Sequence, residues 1–494
     1  MNYCEFLFDT EEQYLDLDAL IDGENGRRLT YIELMEEVKK VAGLLQSKGY
    51  TSGDVIATHL YNSIEAAVIL LAVQYIGGVI CLIDPLYKSY EVLYYIEDSG
   101  AKCLVTHLNN TEIDLPENIK TDVVNINEFN DEIRTYSYVD KEFYNYKEDE
   151  LAMLLYTSGS TSKPKGVMIS AGCYSVFLEK SNMSLYKYTK DDRIICFVPF
   201  SHGFGSLSIL IPSLDGKAAI VFLRSFQPIK ISKAILEENI THILGVPTHY
   251  QQLLRYESIH DSLRRLKAAF VAAAPLNFET AAEWYKITGI YLDEGYGMSE
   301  TSTLISTRMN MLPEPAGNVG FPPKGILEIN AVDEEGRVLE DGIIGELRVR
   351  GKGIMLGYLN KPEETAKRIR DGWVYTGDHG YRRSDGSFVI CGRKDDVINV
   401  AGLKLSPLEV EAAINSHEDV VDSAAIGIED SIYGEIVKAY VVLKDNAKAT
   451  ERDLIKYVSG KIANFKVPKY IAIIDEFPRN NLGKIDKKVL KAKG

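Results

Sequence analysis

Tyr156–Val167 reads YTSGSTSKPKGV, a run of small and hydroxyl-bearing residues around one proline, with lysines at 163 and 165. Small residues let successive backbone N–H groups turn toward one anion, hydroxyls add donors, and the lysines add charge. The stretch reads as a polyphosphate cradle. It is not the loop of the common ATPases, in which Gly-Lys-Ser/Thr opens a helix, because Lys165 is followed by Gly166 and Val167. The segment asks for a different kind of ATP enzyme.

Around the loop the chain alternates apolar strands with amphipathic helices. Thr30 and Glu33 form the two ends of a capping box, and Ile32, Met35, Val38, Ala42 and Leu45 are expected along the inner side of a helix ended by Gly49. Strand Val55–His59, helix Ile64–Tyr75 and strand Val79–Ile83 continue the alternation. It recurs at Ile194–Val198, Ala218–Leu223, His242–Val246 and Ala268–Ala272, with helices such as Ile229–Glu238 and Phe278–Lys286 between. That rhythm predicts an α/β fold: a large N-terminal domain of helix-covered, mainly parallel sheets. Shorter strands from Ile326 to Val349, with DEEG and EDG turns, read as a small β-rich subdomain. A mobile α+β C-terminal domain is expected from residue 395 to 494, after an N-terminal domain of residues 1–394. Its first helix has Ser406 as N-cap, Pro407 at the first helical position and Glu409 as capping partner.

Composition limits the function. Of the 494 residues 46% are hydrophobic and 26% charged, which is ordinary for a globular protein. The formal net charge of -16 argues against a nucleic-acid partner, which selects a basic footprint. From Glu451 onward eleven Lys or Arg stand against five Asp or Glu, a basic segment able to meet phosphates or an acidic partner. Six scattered cysteines form no CxxC pair or metal-ligand spacing and read as buried thiols of a cytoplasmic protein. The apolar stretch from Ile64 to Ile83 is broken by Glu65, Gln74 and Gly77-Gly78, so it is expected to be a buried helix and strand and no membrane span.

Four further segments carry chemistry. YGMSET (Tyr296–Thr301) follows an apolar strand expected at Gly289–Leu292 and offers a tyrosine to stack on a flat ring and Glu300 as an oxygen ligand for Mg²⁺. YTGDHG (Tyr375–Gly380) places Asp378 in an expected Gly-flanked turn, able to take both hydroxyls of a ribose. GRKDDVINVAGLKLSPLEVE (Gly392–Glu411) offers the planar fork of Arg393, a hinge at Asp395, and Gly402, where a loop can approach a ligand closely. PRNNLGKIDKKVL (Pro478–Leu490) presents Lys484 after a glycine turn.

In this order and at these separations the segments resemble the adenylate-forming superfamily: acyl- and aryl-CoA ligases, nonribosomal-peptide adenylation domains and beetle luciferases. The resemblance runs from the Thr30 helix to Lys484. It implies that Thr157, Ser158, Gly159, Ser160, Thr161 and Lys165 hold the β- and γ-phosphates of ATP. It implies that Tyr296 stacks on adenine, with Glu294 where an amide often reads the adenine amino group. Glu300 then holds Mg²⁺, and Asp378 binds the ribose beside Arg393. Lys484 bridges the substrate carboxylate and the α-phosphate, and His202 stands at the mouth of the acyl pocket. Asp395 is the hinge about which the C-terminal domain swings, and Gly402 lines a thiol tunnel. One departure is Ser162, where the family usually has glycine.

Gly203 follows His202 where amino-acid-activating relatives place Asp and dihydroxybenzoate-specific ones often have Asn. A carboxylic acid without an α-ammonium group is therefore expected, aryl or short-to-medium acyl, in a pocket of Gly203, Phe204, Val246, Val271 and Ala272. Thr248 and His249 either add polarity to it or lie on a helix surface. The acceptor thiol is CoA or the phosphopantetheine of a separate carrier protein. Lys461, Lys466, Lys469, Lys487 and Lys488 suit either. A nucleotide-binding protein without catalysis is the third reading, and oligomeric state is not legible.

Overall fold

The structure is a computed structural model describing residues 4–109, 112–113, 115–136, 143–157, 163–174, 176, 178, 187–302, 304–314, 317–394, 396–401, 403–430, 432–479 and 485–492. The expected loop residues Ser158, Gly159, Ser160, Thr161 and Ser162, the hinge Asp395, Gly402 and Lys484 lie outside them.

Among the described residues four sheets organise the chain. The first has eight strands, in the order Ser306–Arg308, Leu292–Tyr296, Ala268–Ala272, His242–Gly245, Arg193–Cys196, Ala219–Phe222, Asp18–Asp22 and Arg28–Thr30. Its members from Leu292–Tyr296 to Asp18–Asp22 are all parallel, and the two edges are antiparallel. The second has seven strands, in the order Gly357–Tyr358, Lys165–Ser170, Leu151–Thr157, Val79–Leu82, Val55–His59, Cys103–Thr106 and Asp122–Asn125. Strands that are buried on both faces need continuous apolar runs, and Val79–Leu82, Ala219–Phe222 and His242–Gly245 are buried at every residue.

The helix after Thr30 runs Tyr31–Ser47 with the expected capping box in place. Of the expected inner residues Val38, Ala42 and Leu45 are buried, but in the first turn Tyr31 and Leu34 take the inner side in place of Ile32, which is exposed, and Met35, which is half-buried. Tyr31 wins the inward place because its hydroxyl reaches the carbonyls of Leu214 and Ala218. Helix Ile64–Tyr75 is buried nearly all round, and Gly77, at φ +80°, turns the chain into strand Val79–Leu82. No helix among the described residues is long and apolar enough to cross a membrane. All six cysteines are free and buried. Burial pushes the Cys81 and Cys391 thiols up to about 12, which keeps them protonated and unreactive.

The β-rich sheet is larger than the sequence suggested. It adds Asn318–Gly320, Trp373–Arg382 and Phe388–Arg393 to Leu327–Val332 and Gly345–Gly351, all antiparallel. The small C-terminal domain packs helices Pro407–Asn415 and Glu451–Ser459 on a sheet in which Gly434–Leu443 lies between Val420–Asp430 and the parallel strand Tyr470–Ile473. Ser406 takes the expected N-cap position with Pro407 after it, but its side chain makes no cap hydrogen bond. Its hydroxyl donates to the Cys391 carbonyl at 2.7 Å, while Glu409 accepts from Lys466 at 2.6 Å. Docking this helix against strand Phe388–Arg393 satisfies a strand carbonyl with the hydroxyl the cap would have used.

Asp422, in strand Val420–Asp430, makes one stability prediction. Burial pushes its carboxyl up to about 6 from an ordinary 3.8, opposed by Arg479, whose guanidinium is 3.6 Å away, and reinforced by Glu411. The folded state thus holds this proton more tightly than the unfolded chain. Its contribution is complete below about pH 4 and is lost as pH rises to about 6. Asp422→Asn is expected to stabilise the C-terminal domain by about 1–2 kcal/mol at pH 7 and by almost nothing at pH 4. Denaturant midpoints at the two pH values check this; an equal gain at both would refute it.

Candidate active site

The expected site residues gather where parallel strands end. Arg193–Cys196 leads through Phe197 to His202, His242–Gly245 to Val246, Ala268–Ala272 to Ala273, and Leu292–Tyr296 to Glu300. All four strands are parallel neighbours in one sheet, so these ends lie along one edge, where open α/β sheets bind ligands. The strand before Tyr296 is Leu292–Tyr296 and not Gly289–Leu292, because Gly289, at φ +77°, ends the preceding helix.

Tyr296 does not hang free. Its hydroxyl donates to Asp378 Oδ2 at 2.5 Å, and Arg393 Nε lies 3.1 Å from Asp378 Oδ1. Arg393 also donates to the Thr376 carbonyl at 3.2 Å, and the Asp378 N–H to Thr376 Oγ1 at 3.1 Å. The TGD segment is not a turn. It lies inside strand Trp373–Arg382, where Gly377 adopts φ +71° and Asp378 pairs across the ladder with Arg393. The local kink that glycine permits is what the sequence suggested as a turn. Tyr296, Asp378 and Arg393 are thus one hydrogen-bonded unit joining the parallel sheet to the β-rich sheet.

Thr157 and Lys165 face each other across the antiparallel pair that flanks the expected phosphate loop. Lys165 Nζ is 2.5 Å from Glu364 Oε2 and 5.1 Å from the centre of the Tyr358 ring. Tyr358 is held beside the loop by pairing with Val167. Its hydroxyl donates to Glu300 Oε1 at 2.6 Å, and Arg368 Nη2 lies 3.3 Å from the same oxygen. Among the described residues both hydrogen bonds to the Glu300 carboxylate fall on Oε1. A nearly buried carboxylate with its other oxygen open fits a hard cation such as Mg²⁺.

Glu294 is differently placed from the adenine reader the resemblance implied. It pairs directly across the ladder with Arg308, whose Nη2 is 2.7 Å from Glu294 Oε2, and Oε1 accepts from the Leu276 N–H at 3.3 Å. Arg308 is wholly buried and also donates to the carbonyls of Asn318 and Met311. Burial pushes the Glu294 carboxyl up, and the Arg308 charge opposes it. Both oxygens are committed inside the chain.

The residues expected to line the acyl pocket lie in the parallel strands or in the segments that follow them. His202 Nε2 is 3.7 Å from the buried Asp84 Oδ2, and Gly203 opens a helical run that passes through a π-turn at Ser206–Leu210. That run sits close because a Cβ on Gly205 would come within 2.4 Å of the Pro199 carbonyl oxygen. The Phe204 ring stands edge-on to Phe270 at 6.2 Å, Val271 is buried, and Val246 and Ala272 are half-buried. His249 belongs with this apolar wall: it stacks on Phe226 at 4.3 Å, and burial lowers its imidazole to about 4. Lys466 and Lys487, two of the expected free cations, are spent on Glu409 and Glu411.

Sequence reasoning missed Asp84, Arg308, Tyr358, Glu364 and Arg368. Glu364 and Arg368 carry a signal, lying four apart on a helix opened by Pro362. For Arg308, strand alternation Ser306–Thr307–Arg308 could have placed it inward, but not its register against Glu294.

The family model described as AMP-binding enzyme matches residues 7–359, and that of the AMP-binding enzyme C-terminal domain matches residues 409–484. The chain belongs to the AMP-binding enzyme family. A 2-succinylbenzoate–CoA ligase of Geobacillus sp. (strain WCH70) is 30% identical over 96% of this chain and 94% of its own. A long-chain-fatty-acid–CoA ligase of Bacillus subtilis (strain 168) is 29% identical over 93% of this chain and 89% of its own. Among solved structures, ATP-bound MatB from Rhodopseudomonas palustris superposes with a TM-score of 0.90 at 30% identity, covering 100% of this chain and 99% of that one. This AMP-binding enzyme is accordingly an AMP-forming acid–thiol ligase that uses ATP.

Proposed function

We propose that the enzyme activates an aryl or short-to-medium acyl carboxylic acid lacking an α-ammonium group, and passes it to CoA. The observation that carries the substrate reading is the uncharged wall of the pocket. Gly203 stands next to His202, where amino-acid-activating relatives carry Asp, and Phe204, Val246, Val271 and Ala272 carry no side-chain acceptor for an ammonium. An unpaired ammonium against such a wall would lose its hydration without compensation. The names of the relatives above, a 2-succinylbenzoate and a long-chain-fatty-acid ligase, agree with this reading in the CoA acceptor and in acids without an α-ammonium group, though not in chain length.

The roles follow from charge. A carboxylate attacking the α-phosphate brings two anions together, so the site must neutralise charge with preorganised donors. Residues Thr157 to Lys165 hold the outer phosphates. Tyr296 provides a face for adenine, and Asp378, set by Tyr296 and Arg393, accepts from the ribose hydroxyls. Glu300 would hold Mg²⁺, which neutralises the phosphates when bound. Lys484 places the acid on the α-phosphate, and the attack breaks the α–β phosphoanhydride bond, releasing pyrophosphate and leaving the acyl-adenylate. AMP leaves when the thiol attacks the acyl carbonyl, after the C-terminal domain has turned about Asp395 and brought Gly402 to the thiol.

A panel of aryl, acyl and α-amino acids, each offered CoA or a phosphopantetheinylated carrier protein, tests the reading. AMP release is expected with aryl or acyl acids and CoA. Release with α-amino acids would overturn the substrate class, and release with carrier protein alone would overturn CoA.

A further inference from the structure

The Pro362–Arg368 helix carries an acid and a base four residues apart, Glu364 and Arg368. They do not pair with each other. Glu364 holds Lys165, the lysine at the foot of the phosphate loop, at 2.5 Å. Arg368 holds Glu300, the candidate Mg²⁺ ligand, at 3.3 Å. Each partner therefore has the charge of what the site must later bind: a carboxylate sits where Lys165 would meet phosphate, and a guanidinium where Glu300 would meet a cation.

Arg368 is built in place. Its Nε donates to the Tyr358 hydroxyl at 3.0 Å and its Nη1 to the Tyr375 carbonyl at 2.8 Å. A Cβ on Gly377, beside Asp378, would stand only 3.2 Å from Nη1. The guanidinium thus ties the Glu300 end of the site to the strand bearing Asp378. The Lys165 side chain is mostly shielded, at 15% exposure, whereas Glu364 is at 38%. The lysine is anchored and the glutamate has room to leave.

We propose that Glu364 and Arg368 form a charge-swapped latch on Lys165 and Glu300 before nucleotide binds, and that MgATP binds by displacing Glu364 from Lys165 and by competing with the Arg368 charge at Glu300. The inference rests on the phosphate and Mg²⁺ roles proposed above. The latch spares the empty site two unpaired charges in poorly solvated surroundings, and weakens ATP binding by the strength of the contacts that must be given up.

Direct binding of ATP to the full chain, without acid, tests it. Titration calorimetry in excess MgCl₂ is expected to show Glu364→Gln binding ATP about threefold tighter, the scale of one partly exposed ion pair. In a Lys165→Gln background the same change is expected to have no effect, since the contact is already gone. Arg368→Gln is expected to reach half-maximal ATP binding at about threefold lower MgCl₂. Equal or weaker ATP binding by Glu364→Gln overturns the latch. So does tightening that persists without Lys165, which would be general repulsion of the triphosphate. If Glu364→Gln does not keep the parent's circular dichroism, Glu364→Ala is read by the same criteria. Failure of the parent itself to bind ATP would overturn the nucleotide-site reading and the latch with it.

Discussion

Lys484→Ala is expected to lower acid-dependent exchange of pyrophosphate into ATP by about a hundred- to thousandfold, the usual cost of removing one preorganised donor from developing charge. Lys484 follows Gly483 in a segment whose two ends are pinned to the C-terminal domain. Arg479 and Ile485 form an antiparallel bridge, the Asp486 N–H donates to the Pro478 carbonyl at 2.8 Å, and Lys487 is 2.6 Å from Glu411. If Lys484 serves only the first half-reaction, acyl transfer from a preformed adenylate should survive the substitution. Undiminished exchange would remove the lysine from the mechanism, and equal loss of both half-reactions would remove the domain swing.

Arg308→Ala is expected to destabilise the large domain by about 3–5 kcal/mol, because it strips the partner from a buried carboxylate. Arg308 is wholly buried and serves the Glu294 carboxylate and two backbone carbonyls. Without it, Glu294 must either stay ionised and unpaired or take up a proton. Burial already pushes that carboxyl up. The loss should therefore grow as pH rises above the range of an ordinary carboxylate, since the unfolded chain then ionises freely and the folded one cannot. Denaturant midpoints across pH read it out. Adding Glu294→Leu should recover part of the loss by removing the stranded charge, while the two carbonyls remain short of a donor. A variant as stable as the parent would show that water enters and serves the carboxylate instead.

The Glu294–Arg308 pair also shows where reading the sequence stopped. Glu294 precedes a motif with a recognisable ligand role, so it looked like part of the nucleotide site. The partner that claims it comes from the antiparallel edge strand Ser306–Arg308, and the pairing is a matter of register. Register depends on which face of each strand meets the core, and the thirteen residues of intervening chain do not specify it. The turn expected at Asp378 failed in a milder way. Its segment was recognised, but glycine beside it suggested a turn, and only the ladder with Phe388–Arg393 shows a kinked strand that sets Asp378 against Arg393.

By itself the sequence determined the α/β architecture, the capped helix at Thr30, the family and the order of the site segments. Those follow from local preferences: hydrophobic period, caps, and small residues where backbone must approach a ligand. Tertiary structure alone decided which charges meet. Lys165 with Glu364, Glu300 with Arg368, Tyr296 with Asp378 and Glu294 with Arg308 join residues from different elements, three of the four pairs across sheets or helices far apart in the chain. Ion pairs act over a few ångströms, so their partners are set by how sheets and helices pack and not by spacing along the chain.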